Sequence, residues 1–268
     1  MRLLLLLGPS LDWYFAEALA MLEQSTEIEI VGALVEVRTS GFRFRAFRRE
    51  LTRGRGGYVL VMTANNIHRA LAHAAQPSLR FMEARGVPAW PVKDLYAPES
   101  IELMRSVDAD LIFRSGFGII REPVLSLAPG GVLSYHHGDI RRYRGQPVAF
   151  WELYKGEREM TVTLQLLAEQ LDAGQVVAER VVPIHRADSW RKLEKRAYET
   201  GVEMLHEACA SIARETAAPI TIPPDQFGEL YTLPNFRQWS TLQGKVLARR
   251  MLAPLSSNGA SRPRAPQD

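Results

Sequence analysis

The sequence predicts an α/β fold: a mostly parallel sheet with helices on both faces and an antiparallel hairpin near its C-terminal end. Three observations carry that expectation. Leu3 to Leu7 is an unbroken apolar run, as a strand buried on both faces requires, and Gly8, Pro9 and Ser10 break it before a helical stretch from about Asp12 to Gln24. Ile28 to Val35 repeats the continuous apolar pattern. Thr161 to Leu167 and Gln175 to Val182 instead alternate, are rich in β-branched residues and are joined through Leu171, Asp172, Ala173 and Gly174, a connection short enough to force antiparallel pairing.

The remaining elements follow in order. From Arg38 to Gly57 neither period wins, and arginine interleaves with phenylalanine in GFRFRAFRRELTRGRGG. Such a stretch is either a solvated connection anchored by its phenylalanines or a basic, aromatic surface for a polyanion. Tyr58 to Met62 reads as a strand and Ile67 to Ala74 as a helix, whose His68 and His73 are five apart and so miss the same-face spacing of three or four. Gly86 to Val92 is a short, proline-broken strand, and Pro98 opens a helix to about Ser106, where its missing N–H does no harm. Asp110 to Arg114 is the next buried strand. Ser115 to Gly118 then turns its carboxyl end toward a short helix, on the side where open α/β sheets bind ligands. Gln146 to Lys155 and Trp190 to Arg214 are helical. A full GxGxxG pattern is missing after the first strand, which weakens a dinucleotide reading.

Composition limits the class. With 268 residues, 46% of them hydrophobic, the chain can bury a substantial core. A net charge of +3 is too small an excess to imply a nucleic-acid partner. One cysteine, Cys209, excludes an internal disulfide and any multi-cysteine zinc site, and its helical context marks it as packing. The opening MRLLLLLGPS imitates a secretion signal but lacks its cleavage site, and no segment reaches the roughly 18 to 20 apolar residues of a membrane span. The expectation is a cytoplasmic protein without a membrane partner, for which a homodimer is an allowed assembly. Its domains are expected to be a catalytic domain over residues 1–216, a short proline-punctuated extension over 217–251 and a disordered tail over 252–268.

Chemistry concentrates in GVLSYHHGDIRRYRG, from Gly131 to Gly145, read with LDAGQVV from Leu171 to Val177. A strand through Val132, Leu133 and Tyr135 delivers His136 and His137 into a turn of Gly138 and Asp139, ahead of Arg141, Arg142 and Arg144. A histidine at a strand end can exchange protons with a substrate when a carboxylate supports its charged form, and Asp172, at the tip of its hairpin, is the best candidate for that partner. Zinc on His136, His137 and Asp139 is a rival reading, opposed by geometry, because adjacent strand residues point to opposite faces. A Ser134 nucleophile is another, opposed by the lack of a glycine-flanked elbow around it. Arg141 and Arg142 read best as solvated or ion-paired turn residues.

The two motifs resemble those of the formyltransferases that use 10-formyltetrahydrofolate, a family that includes methionyl-tRNA, glycinamide ribonucleotide and sugar N-formyltransferases and formyltetrahydrofolate deformylase. SYHHGDIRRYRG stands where that family has Asn-x-His, a proline-containing turn and a basic or aromatic pair before glycine, and LDAGQVV stands where it has a DxG turn. The resemblance runs from Met1 to about Ala210. It implies that His136 is the catalytic histidine, Asp172 the catalytic aspartate, and Ser134 the occupant of the asparagine position, with Gly138, Asp139, Ile140 and Arg141 replacing the usual turn. It further implies a folate pocket near Ala89, Trp90 and Val92, near Gly116, Phe117 and Gly118, and near Leu171 and Gly174, with His137, Asp139 and Arg144 toward the acceptor. No metal is implied. The function expected from it is transfer of a formyl group to the amine of a small molecule, an amino sugar or a biosynthetic intermediate. The alternatives are hydrolysis of the same donor and non-catalytic binding of a folate or another metabolite, the latter raised by Ser134. The short remainder after the last predicted helix speaks against a tRNA acceptor.

Overall fold

A computed structural model describes residues 1–38, 76–171 and 173–251. Among these residues the strands are β1 (Arg2–Leu7), β2 (Ser10–Leu11), β3 (Glu29–Glu36), β4 (Gln76–Pro77), β5 (Ala89–Val92), β6 (Leu111–Arg114), β7 (Val132–His136), β8 (Tyr143–Gly145), β9 (Glu159–Leu166), β10 (Gln175–Pro183) and β11 (Glu229–Tyr231). The helices are α1 (Trp13–Glu23), α2 (Ser78–Glu83), α3 (Pro98–Val107), α4 (Phe150–Lys155), α5 (Trp190–Ala213) and α6 (Phe236–Met251). The segment expected to connect Arg38 to Gly57, the expected strand at 58–62, the expected helix at 67–74 with His68 and His73, and the tail from 252 lie outside the described residues, apart from Arg38 itself.

Seven of the described strands form one sheet in the order β10-β9-β7-β6-β1-β3-β5. β7, β6, β1, β3 and β5 pair in parallel, while β9 runs antiparallel to both β7 and β10, so the expected parallel sheet and hairpin are both present. The run of five leucines explains why β1 is central. Leu3, Leu5 and Leu7 enter the core on one face and Leu4 and Leu6 the core on the other, all fully buried. Each such side chain contributes roughly 1.5 to 3 kcal/mol by leaving water. On the first face Phe15, Leu19 and Leu22 of α1 and Leu193, Met204 and Leu205 of α5 pack against the sheet; on the second, Ile101 and Met104 of α3 do so. Cys209 of α5 is completely buried, and burial raises its thiol to about 12, so it packs as an inert apolar group.

The sequence carried no expectation of the short elements β2, β4, α2, β8 and β11, and two further differences bear on the core. The helix expected from Gln146 begins only at Phe150, because Ala149 takes a left-handed φ of 63° and keeps the preceding backbone out of helical register. The extension to which the sequence assigned no element contains α6, with Trp239, Leu242 and Val246 buried. Trp239 stacks on Phe150 at 5.3 Å and meets Trp190 edge-on at 5.1 Å, which places α6 in the same core as the sheet. The described helices include none long and apolar enough to cross a membrane.

Candidate active site

The site is assembled by strand register. Arg114 of β6 pairs with Ser134 of β7, and Ser134 pairs in turn with Gln165 of β9; two positions along, on the same face, His136 pairs with Thr163. Paired residues share a sheet face, so Arg114, Ser134 and Gln165 form a row across three strands, with Thr163 and His136 beside it. Four of these are polar yet buried: Thr163 is 0%, Gln165 1%, Ser134 2% and His136 7% exposed. Burying that many polar side chains at the carboxyl end of β7 is costly unless each is satisfied or used.

The hydrogen bonds show how the row is held. His136 Nε2 lies 2.8 Å from the carbonyl of Tyr143, and since a carbonyl only accepts, Nε2 carries a proton. Thr163 Oγ1 donates to the carbonyl of Gly138 at 2.9 Å, fixing the turn that follows the histidines. A Cβ at Gly138 would come within 2.7 Å of Tyr143 O and 2.9 Å of His136 Nε2, so only glycine fits beside the ring. Arg114 Nε donates to Gly116 O at 2.9 Å, and its Nη2 to Gly118 O, pinning the Ser115 to Gly118 loop. Arg114 Nη1 reaches Ser134 Oγ at 3.4 Å, and the hydroxyl itself faces the carbonyls of Arg114 at 3.2 Å and Tyr135 at 3.4 Å. Gln165 Oε1 accepts the Gly174 N–H at 3.2 Å, tying β9 to the turn before β10.

A cavity of about 300 Å³ opens over this row. Ser134, His136 and Gln165 of the row line it, together with Ile119, Val148 and Leu171 among others. That volume is at the lower end of the range for small-molecule sites.

The residues proposed from sequence are distributed as follows. Ser134, His136, Gly118 and Leu171 reach the cavity, and His137 borders it while its ring packs away from it. Asp172 lies outside the described residues. His137 points to the opposite sheet face from His136, stacking on Tyr135 at 5.5 Å and meeting Tyr198 edge-on at 4.8 Å. Its Nε2 is sealed from solvent without a hydrogen-bond partner, and burial, followed by the nearby charge of His136, lowers its pKa to about 3, so it stays neutral. Gly174 abuts Gln165 and does not itself line the cavity. Gly116 packs tightly against Leu7 and Gly8, and Phe117 against the core beneath the sheet. Ala89, Trp90 and Val92 are in β5, the edge strand, away from this cavity.

The cationic cluster is largely committed. Arg141 pairs with Glu179 at 2.7 Å and Asp139 at 3.3 Å, and Arg142 with Glu157 at 2.6 Å, as the ion-paired reading anticipated. Arg144 Nε donates to Gly228 O at 2.9 Å and its Nη1 to Leu171 O at 3.4 Å, with the guanidinium over the Phe227 ring. Arg144 therefore clamps the C-terminal extension to the loop below the site rather than facing the cavity. The extension completes the loop: β11 pairs in parallel with β8, Gly228 N donates to Ile140 O at 2.9 Å, and Gly145, at φ 92°, lies where a Cβ would strike Tyr231 O.

Three residues that sequence reasoning passed over shape the site. Arg114 had one signal, a charge ending an otherwise apolar strand; Gln165 had another, a polar residue inside an apolar alternation. The third, Glu152 of α4, is 3% exposed and lines a smaller cavity of about 40 Å³ with Asp139, Arg142 and Tyr143. Burial raises its carboxyl to about 7, against the opposing pull of its own backbone N–H, His136 and Arg142. The folded state thus keeps a proton that the unfolded chain releases near 4.5, so stability falls as pH rises from about 4.5 and levels off above about 7. Glu152→Gln is expected to remove that loss, making the protein more stable at pH 8 by up to about 3 kcal/mol while changing little at pH 4; urea unfolding at the two pH values measures it.

The comparisons with known proteins agree with this architecture. Residues 39–209, more than half of the chain, match the formyl transferase family model, and the chain belongs to that family. Among curated proteins it is 30% identical to the methionyl-tRNA formyltransferase of Thermosynechococcus vestitus over 59% of this chain and 49% of the relative. It is 31% identical to that of Citrifermentans bemidjiense over 51% and 43%. The chain spans about half the length of the curated relatives it matches. Among solved structures it resembles phosphoribosylglycinamide formyltransferase from Anaplasma phagocytophilum (TM-score 0.61, 17% identity, 86% of this chain and 98% of that one). It also resembles the N-formyltransferase from Helicobacter canadensis in complex with folinic acid and dTDP-3-aminofucose (TM-score 0.56, 12% identity, 87% and 71%). At these identities the structural likeness establishes the fold alone.

Proposed function

We propose that this protein moves a formyl group from a 10-formyltetrahydrofolate donor to the amine of a small molecule. The observation that carries the reading is the buried polar row at the carboxyl end of β7, with His136, held through its Nε2–H, lining a cavity of about 300 Å³. The folate donor is supported by the family and by the folinic acid bound to the Helicobacter canadensis neighbour; a small acceptor is supported by the cavity's volume and by that neighbour's amino-sugar ligand. The chain offers apolar walls at Ile119, Val148 and Leu171 for a planar ring, and amide and hydroxyl groups around the reacting carbon, which fits such a donor.

In this mechanism His136 takes the proton released when the amine attacks, and returns it to the departing nitrogen of the donor. Tyr143 O holds the ring by its Nε2–H, so the exchanging nitrogen is Nδ1. Asp172 has the role of steadying the charged imidazole. Gly118 and Leu171 flank the donor.

The test is consumption of 10-formyltetrahydrofolate by the purified protein, with and without a pooled set of small amines. Turnover that requires an amine supports the reading and allows the pool to be divided until the acceptor is found. Formate release that no amine accelerates makes the protein a hydrolase of the same donor. Absence of both turnover and donor binding rejects the folate assignment.

A further inference from the structure

The row across β6, β7 and β9 raises a question of hydrogen-bond supply. A formyl oxygen that gains charge during transfer needs donors, and removing one such donor costs about 10²- to 10³-fold in rate. Ser134 is poorly placed to be that donor. Its hydroxyl has one proton, which faces the carbonyls of Arg114 and Tyr135, and its oxygen accepts from Arg114 Nη1. The guanidinium of Arg114 in turn serves the carbonyls of Gly116 and Gly118, so this pair holds the strand ends and the loop together.

Gln165 is placed differently. It sits opposite Ser134 in the β7–β9 ladder, two register positions from His136 and on the same face, and is 1% exposed while lining the cavity. The Gly174 N–H can only donate, so the group 3.2 Å from it must be the amide oxygen of Gln165. That bond fixes the amide orientation and leaves the NH2 on the other branch, where it has no hydrogen-bond partner among the described residues. That nitrogen is not sealed from the cavity that Gln165 lines, so a ligand oxygen there can take its hydrogen bond.

We infer that the carboxamide NH2 of Gln165 donates the hydrogen bond that stabilises the formyl oxygen during transfer, the duty that Ser134 is turned away from. The inference rests on the formyl-transfer reading and adds a catalytic residue to it. The amine lone pair forms a bond to the formyl carbon as the carbon–oxygen π pair moves onto oxygen, where Gln165 holds it. His136 takes the proton from the attacking nitrogen. The oxygen pair then re-forms the carbonyl, the bond from carbon to N10 of the donor breaks, and N10 receives the proton from His136. Every donor to the oxygen is worth most at the charged stage, so the effect belongs in kcat.

The experiment uses 10-formyl-5,8-dideazafolate carrying ¹³C at the formyl carbon, with hydroxylamine as a probe nucleophile. The full-length protein is compared with Gln165→Leu and Gln165→Glu. Glutamate can still accept the Gly174 N–H but, when ionised, has no proton to donate, so it decides the matter if the leucine variant does not fold. Both are expected to lower kcat about 100-fold with KM for the donor within about threefold. In both, the ¹³C formyl resonance of the bound probe is expected to move upfield of its wild-type position as its hydrogen bond is lost. Adding Ser134→Asn to Gln165→Leu, which supplies a carboxamide from the neighbouring strand, is expected to recover at least tenfold. Wild-type kcat and an unmoved resonance in the glutamate variant overturn the inference while leaving formyl transfer intact. A wild-type protein that neither binds nor consumes the probe overturns the formyl-transfer reading and this inference with it.

Discussion

Replacing His136 with alanine is expected to lower kcat for formyl transfer about 1,000-fold, the middle of the range for a general base in a group-transfer reaction. The ring has two duties in this structure, and they can be separated. Its Nε2–H holds the carbonyl of Tyr143, which shapes the turn through Gly138; its other nitrogen is the one that can carry a proton to and from the reacting groups. Alanine removes both, and the unpaired Tyr143 carbonyl adds a cost of about 1 to 3 kcal/mol in stability. His136→Gln offers an amide N–H that can serve the Tyr143 carbonyl, but it supplies no base near neutral pH. Steady-state kinetics together with thermal melts separate the outcomes: a glutamine variant as stable as wild type and as inactive as alanine identifies the base. A glutamine variant with wild-type kcat reduces His136 to an anchor for the turn and rejects its chemical role.

Deleting residues 217–251 is expected to prevent folding of the remaining chain altogether. Ile222, Trp239, Leu242 and Val246 are buried, and at roughly 1.5 to 3 kcal/mol each their loss rivals the whole stability of a typical domain. The deletion also uncovers Phe150 and Trp190, which Trp239 covers, and breaks the β8–β11 pairing that holds the loop below the site. Circular dichroism and a denaturant titration of the shortened chain measure the effect. Trp239→Ala, which leaves the backbone pairing intact, is expected to cost about 3 to 5 kcal/mol. A shortened chain that is cooperative, with a midpoint near that of the full chain, makes the extension an ornament rather than part of the core.

Much of the sheet was legible because its signals are local. Five consecutive leucines allow only a strand buried on both faces, and the alternation on either side of the Leu171 to Gly174 turn allows only a hairpin. α6 was less legible. Trp239, Leu242 and Val246 do fall at helical spacing, but Pro219, Pro223, Pro224 and Pro234 crowd the approach to it, and its partner surface on α4 and α5 is some 50 to 90 residues away in sequence. The late start of α4 was hidden for another reason: Ala149 adopts a left-handed backbone that alanine rarely takes, so its identity carries no hint of it.

The site divides in the same way. His136, Ser134 and their turn lie within a few residues of each other, and a strand ending in polar side chains above an α/β sheet is a local pattern. That His136 and His137 face opposite sides follows from the strand period alone, and the stacking of His137 on Tyr135 agrees with it. By itself, then, the sequence determined the parallel core, the hairpin and the stretch that carries the proposed site, because each rests on periodicity or on neighbours in the chain. Tertiary structure alone decided that Gln165 stands opposite Ser134, that Arg114 and Arg144 hold loops, and that Glu152 is buried behind the turn. Those facts depend on inter-strand register and on the packing of distant helices, and a single residue of slip would have turned every one of the β9 side chains to the other face.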